Sequence, residues 1–298
     1  MIKSIDEMIK KAKESGKRKI AVVCAHDTEV LLSLYKAVKE GIVYPILFGK
    51  KNEIENLIKV HSLDNFECEI RNFNNDQECA ENAVREVSSG KAQMLMKGLI
   101  STSTFLKAVL NKEWGLRKGG LLSHVTVFDA KGYDHLFLLT DVAMNIAPDL
   151  MQKKMIIENA VEVAHGLGIE TPKVAPLCAV EVVNPDMPAT IDAAILSKMS
   201  DRGQIKGCIV DGPLALDNAV SLEAAKHKKI SGKVAGQADI LLAPAIEAGN
   251  IFYKALGFFT DAKIAAIITG ANAPIVLTSR ADSDETKFNS IVLAASIS

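Results

Sequence analysis

Short apolar runs, each followed by a helical pattern, recur along nearly the whole chain, and this alternation constrains the fold more than any other feature. "KIAVVCA" (Lys19–Ala25) reads as a strand leading into a helix that ends near Glu40. "YPILFG" precedes a helix from about Asn52, "FECEIRNF" one from about Asp76 to Val87, and "QMLMKGLI" one from about Ser103 to Leu110. "KVAPLCAV", "GCIVDG", "DILLAPA" and "KIAAIITG" continue the series. Continuous apolar strands are buried on both faces, and amphipathic helices between them supply the two covering layers. The expected class is α/β with mostly parallel sheets.

The middle breaks the rhythm. "LLSHVTVFDAKGYDHLFLLTDVAMNI" (Leu121–Ile146) holds two strand patterns joined by a turn with Lys131-Gly132 and no helix, so it reads as a hairpin. A domain change belongs there. Residues 1–120 with 275–298 are expected to form one α/β domain and 121–274 a second, and 298 residues can build two cores. Two such lobes would enclose an interdomain cleft. In open α/β sheets ligands bind beyond the carboxyl ends of the strands.

Those strand ends carry a consistent chemistry. Lys97 and Lys107 flank Ser101, Thr102, Ser103 and Thr104. Gly212 and Pro213 close "GCIVDGP", and Glu247, Gly249, Asn250 and Lys254 follow "DILLAPA". "IVLT" runs into Ser279 and Arg280, with Asp282, Asp284 and Glu285 behind them. Helix N-termini attract anions through free N–H groups and the positive end of the dipole. Ordinary N-capping explains the Ser, Thr, Asp and Asn residues equally well. Asp282-Ser-Asp-Glu285 even fits a reciprocal cap with Asp282 as N-cap. Capping does not require Lys97, Lys107 or Arg280.

Absences narrow the function. With 35 basic and 36 acidic residues the chain lacks the basic excess of a nucleic-acid binder. There is no P-loop, no dinucleotide glycine fingerprint after the first strand, no nucleophile elbow and no clustered Cys/His, so no metal site is expected. Cys24, Cys68, Cys79, Cys178 and Cys208 form no C-x-x-C pair, and an odd count closes no disulfide framework. Cys24, Cys178 and Cys208 lie in apolar runs and read as small core residues without an activating neighbour. Among the histidines only His26 and His124 lie near strand ends. No membrane span or signal peptide is expected, and the expected location is cytoplasmic.

Taken together, "KGLISTSTFLKAVL", "VDGPLALDNA", "AGQADILLAPAIEAGNIFYK" and "VLTSRADSDETKFNSI" resemble the phosphate acetyl/butyryl transferase family. "LTDVAMNIAPDL" and "VNPDMPATIDAA" bring the resemblance nearest to its phosphate butyryltransferase branch. The resemblance runs from about Lys19 to the end. It implies a two-domain fold like that of isocitrate and isopropylmalate dehydrogenases, a homodimer or larger homo-oligomer, and reversible conversion of butyryl-CoA and phosphate into butyryl phosphate and CoA. CoA and phosphate are then substrates, and no cofactor is implied. By motif match Ser279 and Arg280 take the active-site positions, and Ser101, Thr102 and Lys107 line the anion site. The acetyl branch commonly has Arg at the position of Lys107, and a proposed Asp base where Thr286 stands here, beside Glu285. Many relatives have Asp where this chain has Ala245.

Alternatives within the resemblance are an acetyl specificity or a broad short- and branched-chain one. Outside it stand a metal- and nicotinamide-dependent dehydrogenase of the same fold and a non-catalytic anion-binding protein. The first lacks clustered Asp ligands and a dinucleotide loop. The second would bind ligand without consuming or releasing thiol.

Overall fold

The computed structural model describes residues 1–278 and 282–298. In chain order the elements are α1 (Ile5–Glu14), β1 (Arg18–Val23), α2 (Thr28–Lys39), β2 (Val43–Gly49), α3 (Lys51–Val60), β3 (Glu69–Asn72), α4 (Asp76–Ser88), β4 (Met94–Lys97) and α5 (Thr102–Val109). There follow β5 (Ser123–Asp129), β6 (Phe137–Thr140), α6 (Leu150–Gly166), β7 (Lys173–Pro176), α7 (Pro188–Asp201), β8 (Ile209–Val210), α8 (Leu216–Val220), α9 (Leu222–His227) and β9 (Ile240–Leu242). The chain closes with α10 (Ile246–Phe259), β10 (Lys263–Thr269), β11 (Ile275–Val276) and α11 (Asp284–Ile297). Two compact units result: an outer unit of residues 5–120 and 265–298, and a central unit of residues 1–4 and 121–264.

In the outer unit the strands run in the order β3-β2-β1-β4-β11-β10. The β2–β3, β1–β2, β1–β4 and β4–β11 pairs are parallel, and β10–β11 is antiparallel, with Ile268 facing Ile275. β1 is central because Ile20, Ala21, Val22 and Val23 are buried on both faces. β3, at the edge, has no buried residue: Glu69 and Asn72 are exposed and Ile70 and Arg71 half-buried. α11 is buried from Lys287 to Ala295 and packs against α1 and α2. A helix apolar on nearly all sides belongs inside a core.

The central unit orders its strands β5-β6-β9-β7-β8, with β5–β6 as the antiparallel pair and Thr126 opposite Leu139. This is the hairpin expected from the sequence. Mixed α/β architecture with mostly parallel strands also stands. Two expected strands are shorter than their apolar runs: "GCIVDG" contributes Ile209–Val210 and "IVLT" only Ile275–Val276. No helix joins β10 to β11. The few residues from Gly270 to Pro274 are too short for a crossover, so the two strands pair antiparallel. Among the described residues no helix is long and apolar enough to cross a membrane.

Candidate active site

Three strands of the outer unit, β1, β4 and β11, end around one cavity of about 430 Å³, and His26, Asp27, Glu29, Lys97, Thr278 and Lys287 are among its lining residues. Cys24, directly after β1, takes the left-handed conformation (φ 51°) and turns the chain toward α2. Asp27 then caps α2, its Oδ1 accepting from the Val30 N–H at 3.0 Å. β4 ends in Lys97 and Gly98. A Cβ at Gly98 would run into the Val23 and Cys24 carbonyl oxygens, so only glycine lets β4 lie this close to the end of β1. Lys97 Nζ donates to the Gly98 carbonyl at 3.2 Å. β11 leads to Thr278. Ser279 and Arg280, the next two residues and the centre of the sequence expectation, lie outside the described residues.

The strongest electrostatic feature of this cavity was not anticipated. Lys287, with 4% of its side chain exposed, pairs with Glu29 at 2.6 Å and also donates to the Asp282 carbonyl at 2.5 Å. It therefore ties the start of α11, just past Ser279 and Arg280 in the chain, to the start of α2. A signal existed: Lys287 occupies the same helical face as Ile291 and Ala294, and a cation on an apolar stripe needs a buried partner.

The remaining sequence candidates fall into two groups. In the outer unit Ser101 is the N-cap of α5, and its Oγ accepts from the Thr104 N–H at 3.1 Å. Thr102 is the first helical residue and exposed. Lys107 does not join Lys97. It lines a separate cavity of about 90 Å³ with Gln77, Glu81, Thr104 and Trp114. Glu285 is exposed in the first turn of α11. The N-cap there is Ser283 rather than Asp282, with Oγ accepting from the Thr286 N–H at 3.1 Å. The shorter hydroxyl one position later reaches its third N–H, so the partner is Thr286 and not Glu285.

In the central unit, Gly212 and Pro213 follow the end of β8, and Glu247, Asn250 and Lys254 share α10. Glu247 is exposed. Asn250 Nδ2 donates to the Val142 carbonyl at 3.1 Å, and Lys254 Nζ lies 5.0 Å from the Tyr253 ring centre. A Cβ at Gly249 would collide with the Asp141 carbonyl, so α10 and the loop after β6 touch through backbone. Ala245 is the N-cap of α10 and makes no side-chain cap. Asp141 was also missed. Its buried carboxylate accepts from the N–H groups of His124, Ala143, Met144 and Asn145 at 3.0 to 3.2 Å and so shapes the loop after β6. His124 is buried beneath it, its Nδ1 3.2 Å from Thr126 Oγ1.

The cysteines depart from expectation in burial at Cys178 and Cys208, and Cys24 lies against Cys79. Cys24 does have a thiol neighbour: its N–H donates to Cys79 Sγ at 3.2 Å. A thiol–thiol hydrogen bond with Cys79, and burial behind it, push the Cys24 thiol upward, while the same thiol–thiol bond lowers Cys79. Both are 1% exposed, out of reach of a substrate carbonyl. Cys178 and Cys208 are half-buried rather than core, and burial pushes each to about 11. Among the described residues, no His, Cys, Asp and Glu side chains form a group of three or more able to hold a metal.

With this geometry in place, comparison with known proteins is informative. The family model described as "Phosphate acetyl/butaryl transferase" matches residues 76–295. A phosphate butyryltransferase of Clostridium acetobutylicum is 56% identical over 295 residues, covering 99% of this chain and 98% of its own. The crystal structure of a branched-chain phosphotransacylase from Enterococcus faecalis V583 superposes with a TM-score of 0.84 at 38% identity, over 94% of this chain and 99% of that one. A putative 4-hydroxythreonine-4-phosphate dehydrogenase from Salmonella typhimurium shares the fold alone, with a TM-score of 0.56 at 15% identity over 95% of this chain and 100% of that one.

Proposed function

Because the chain belongs to the phosphate acetyl/butaryl transferase family, we propose that it catalyses the reversible reaction of butyryl-CoA with inorganic phosphate to give butyryl phosphate and CoA. It is an acyltransferase. The observation that carries the site assignment is the cavity at the ends of β1, β4 and β11, where Lys97 and Lys287 stand beside Thr278, the residue that leads into Ser279 and Arg280.

The chemistry explains why cations matter most. In the direction of CoA acylation, the thiolate attacks the carbonyl carbon of the acyl phosphate. The resulting oxyanion collapses and expels phosphate, and the thiol proton passes to a base or to water. A free thiol has a pKa of about 8.5, so complete ionisation at neutral pH is worth only about 2 kcal/mol. Removing one fixed donor to a developing oxyanion costs about 3–4 kcal/mol. Arg280 is assigned to two phosphate oxygens, and Ser279 to the carbonyl or phosphate oxygen. The exposed N-terminus of α5, with Ser101 and Thr102, adds backbone donors. Glu285, exposed in the first turn of α11, is assigned as acceptor of the thiol proton. Lys107, which lines a separate cavity beside Trp114, is given no part in this step. Direct attack in a ternary complex is favoured over an acyl-cysteine, since Cys24 and Cys79 are enclosed and Cys68, Cys178 and Cys208 stay protonated at neutral pH.

The likeness to a dehydrogenase fold supports an isocitrate dehydrogenase-like chain. CoA and phosphate act as substrates with no further cofactor, because acyl exchange moves no electrons between redox states. A homodimer or larger homo-oligomer is the proposed assembly, to be tested by light scattering.

The deciding assay mixes the protein with phosphate and CoA thioesters of two to six carbons and follows free thiol. Fastest release from butyryl-CoA is expected. Fastest release from acetyl-CoA would reassign the acyl group, and no release from any ester would overturn the transferase reading. Initial-rate lines that stay parallel as the second substrate varies would replace direct attack with an acyl-enzyme.

A further inference from the structure

We propose that His26, in the wall of the outer-unit cavity at the ends of β1, β4 and β11, binds substrate by donating a hydrogen bond from Nε2 to a phosphate oxygen. The inference rests on the acyl-transfer reading above and adds to it a substrate-binding residue that lies within one unit.

The imidazole is built into that wall. His26 stands just past the end of β1, and the backbone on either side of it is fixed. The Ala25 N–H donates to the Phe48 carbonyl at 2.9 Å, and the Asp27 N–H donates to the Ala25 carbonyl at 2.8 Å. Nδ1 is buried and has no hydrogen-bond partner among the described residues. It lies over Gly49, at the end of β2, where a Cβ would come to 2.9 Å from it. Gly49 also has a φ of 150°, so both its conformation and the space taken by the ring favour glycine. Buried N–H groups without an acceptor are rarer than unused lone pairs. The neutral tautomer assigned to the ring therefore carries its proton on Nε2, the nitrogen left to serve the cavity.

The acids of the same wall are already engaged. Asp27 caps α2 by accepting from the Val30 N–H, and Glu29 pairs with Lys287. Lys97 adds a cation to the lining. A fixed neutral donor beside a cation suits an anion rich in acceptor oxygens. The thiol sulfur of CoA is a weak acceptor and a hydrocarbon tail is none. Phosphate groups meet the description, whether on inorganic phosphate, on the acyl phosphate or on CoA. Because the backbone at His26 is held before ligand arrives, the donor needs no rearrangement to bind.

Three substitutions separate the two ring nitrogens. His26→Gln places an amide near the position of Nε2, His26→Asn places one near that of Nδ1, and His26→Ala removes both. Far-ultraviolet circular dichroism checks that each folds. Isothermal titration calorimetry then measures Kd for inorganic phosphate, for CoA and for pantetheine, which carries no phosphate. A hydrogen bond to a charged group is worth about tenfold or more in Kd. His26→Ala and His26→Asn should therefore weaken phosphate or CoA at least about tenfold, and His26→Gln should stay within about threefold of wild type. Pantetheine should bind all four proteins alike. A loss with inorganic phosphate identifies the transferred phosphate as the partner, and a loss with CoA alone identifies CoA's own phosphates. Unchanged affinities, equal affinities of the Gln and Asn variants, an equal loss for pantetheine, or a wild-type protein that binds neither phosphate nor CoA would overturn the proposal. The measurement needs no turnover, so a protein that binds phosphate through His26 yet releases no thiol from any ester would overturn the parent reading alone.

Discussion

Lys287 Nζ lies 2.6 Å from Glu29 Oε2, joining the first turn of the last helix to the first turn of the second at the wall of the candidate active site. The ammonium is nearly enclosed, whereas Glu29 is half-exposed. Removing the acid leaves a buried charge without its counter-ion; removing the cation leaves an acid that water can solvate. Glu29→Ala is expected to lower unfolding stability by about 2 kcal/mol, less than the about 3–5 kcal/mol of a fully buried pair, because the exposed acid is screened. Lys287→Met should cost less, since it keeps the stem volume and removes the charge. Urea denaturation of both variants checks the order, and the reverse order would show that Lys287 does more than answer Glu29.

Transition-state charge, not thiol ionisation, is expected to dominate the rate. Arg280→Ala should lower kcat at least about a hundredfold, the loss typical of one fixed oxyanion donor. Glu285→Gln should lower it by no more than about tenfold, because full thiol ionisation is worth only about 2 kcal/mol. Steady-state kinetics with butyryl-CoA and phosphate decide. Equal and small losses would remove Arg280 from the mechanism.

Asp141 binds the loop after β6 through backbone N–H groups on both sides of the hairpin. Asp141→Ala leaves these buried donors unanswered and should reduce stability by about 3 kcal/mol. Asp141→Asn keeps one acceptor oxygen and should lose less. Thermal unfolding of the two variants provides the comparison, with a lower midpoint for the alanine protein.

Arg71 grips both oxygens of Glu86, at 2.6 and 3.1 Å, and holds its carboxyl below the usual range. A carboxyl with a depressed folded pKa binds fewer protons folded than unfolded. It therefore contributes stability above its unfolded value of about 4.3, and this is lost as pH falls through the folded value. Glu86→Gln should be less stable than wild type by about 1 kcal/mol at neutral pH, a modest figure because Arg71 is one-third exposed. The gap should close toward pH 3. Denaturation midpoints across that range test the sign, and a gap independent of pH would show that charge plays no part.

Part of the site was legible before folding was considered. Ser101 and the last-helix N-terminus were visible as capping patterns because caps are local: the hydroxyl and its N–H lie three residues apart. Even so, the cap fell on Ser283 and not Asp282, because such patterns locate a helix start only to within a residue or two. Lys107 shows a different limit. The motif match put it at the anion site with Ser101 and Thr102, but α5 turns it toward α4 and Trp114. Which face of a helix meets which neighbour is a tertiary fact.

By itself the sequence determined the class of the protein. Repeated apolar runs between amphipathic segments leave parallel strands covered by helices as the economical way to bury that surface, and the one helix-free stretch becomes an antiparallel hairpin. Only the tertiary structure decided the strand order β1-β4-β11, which brings Lys97, Thr278 and Lys287 to one cavity. The physical reason is range. Hydrophobic periodicity and capping act over a few residues, whereas strand order and the pairing of a buried cation with a distant acid depend on how whole elements pack.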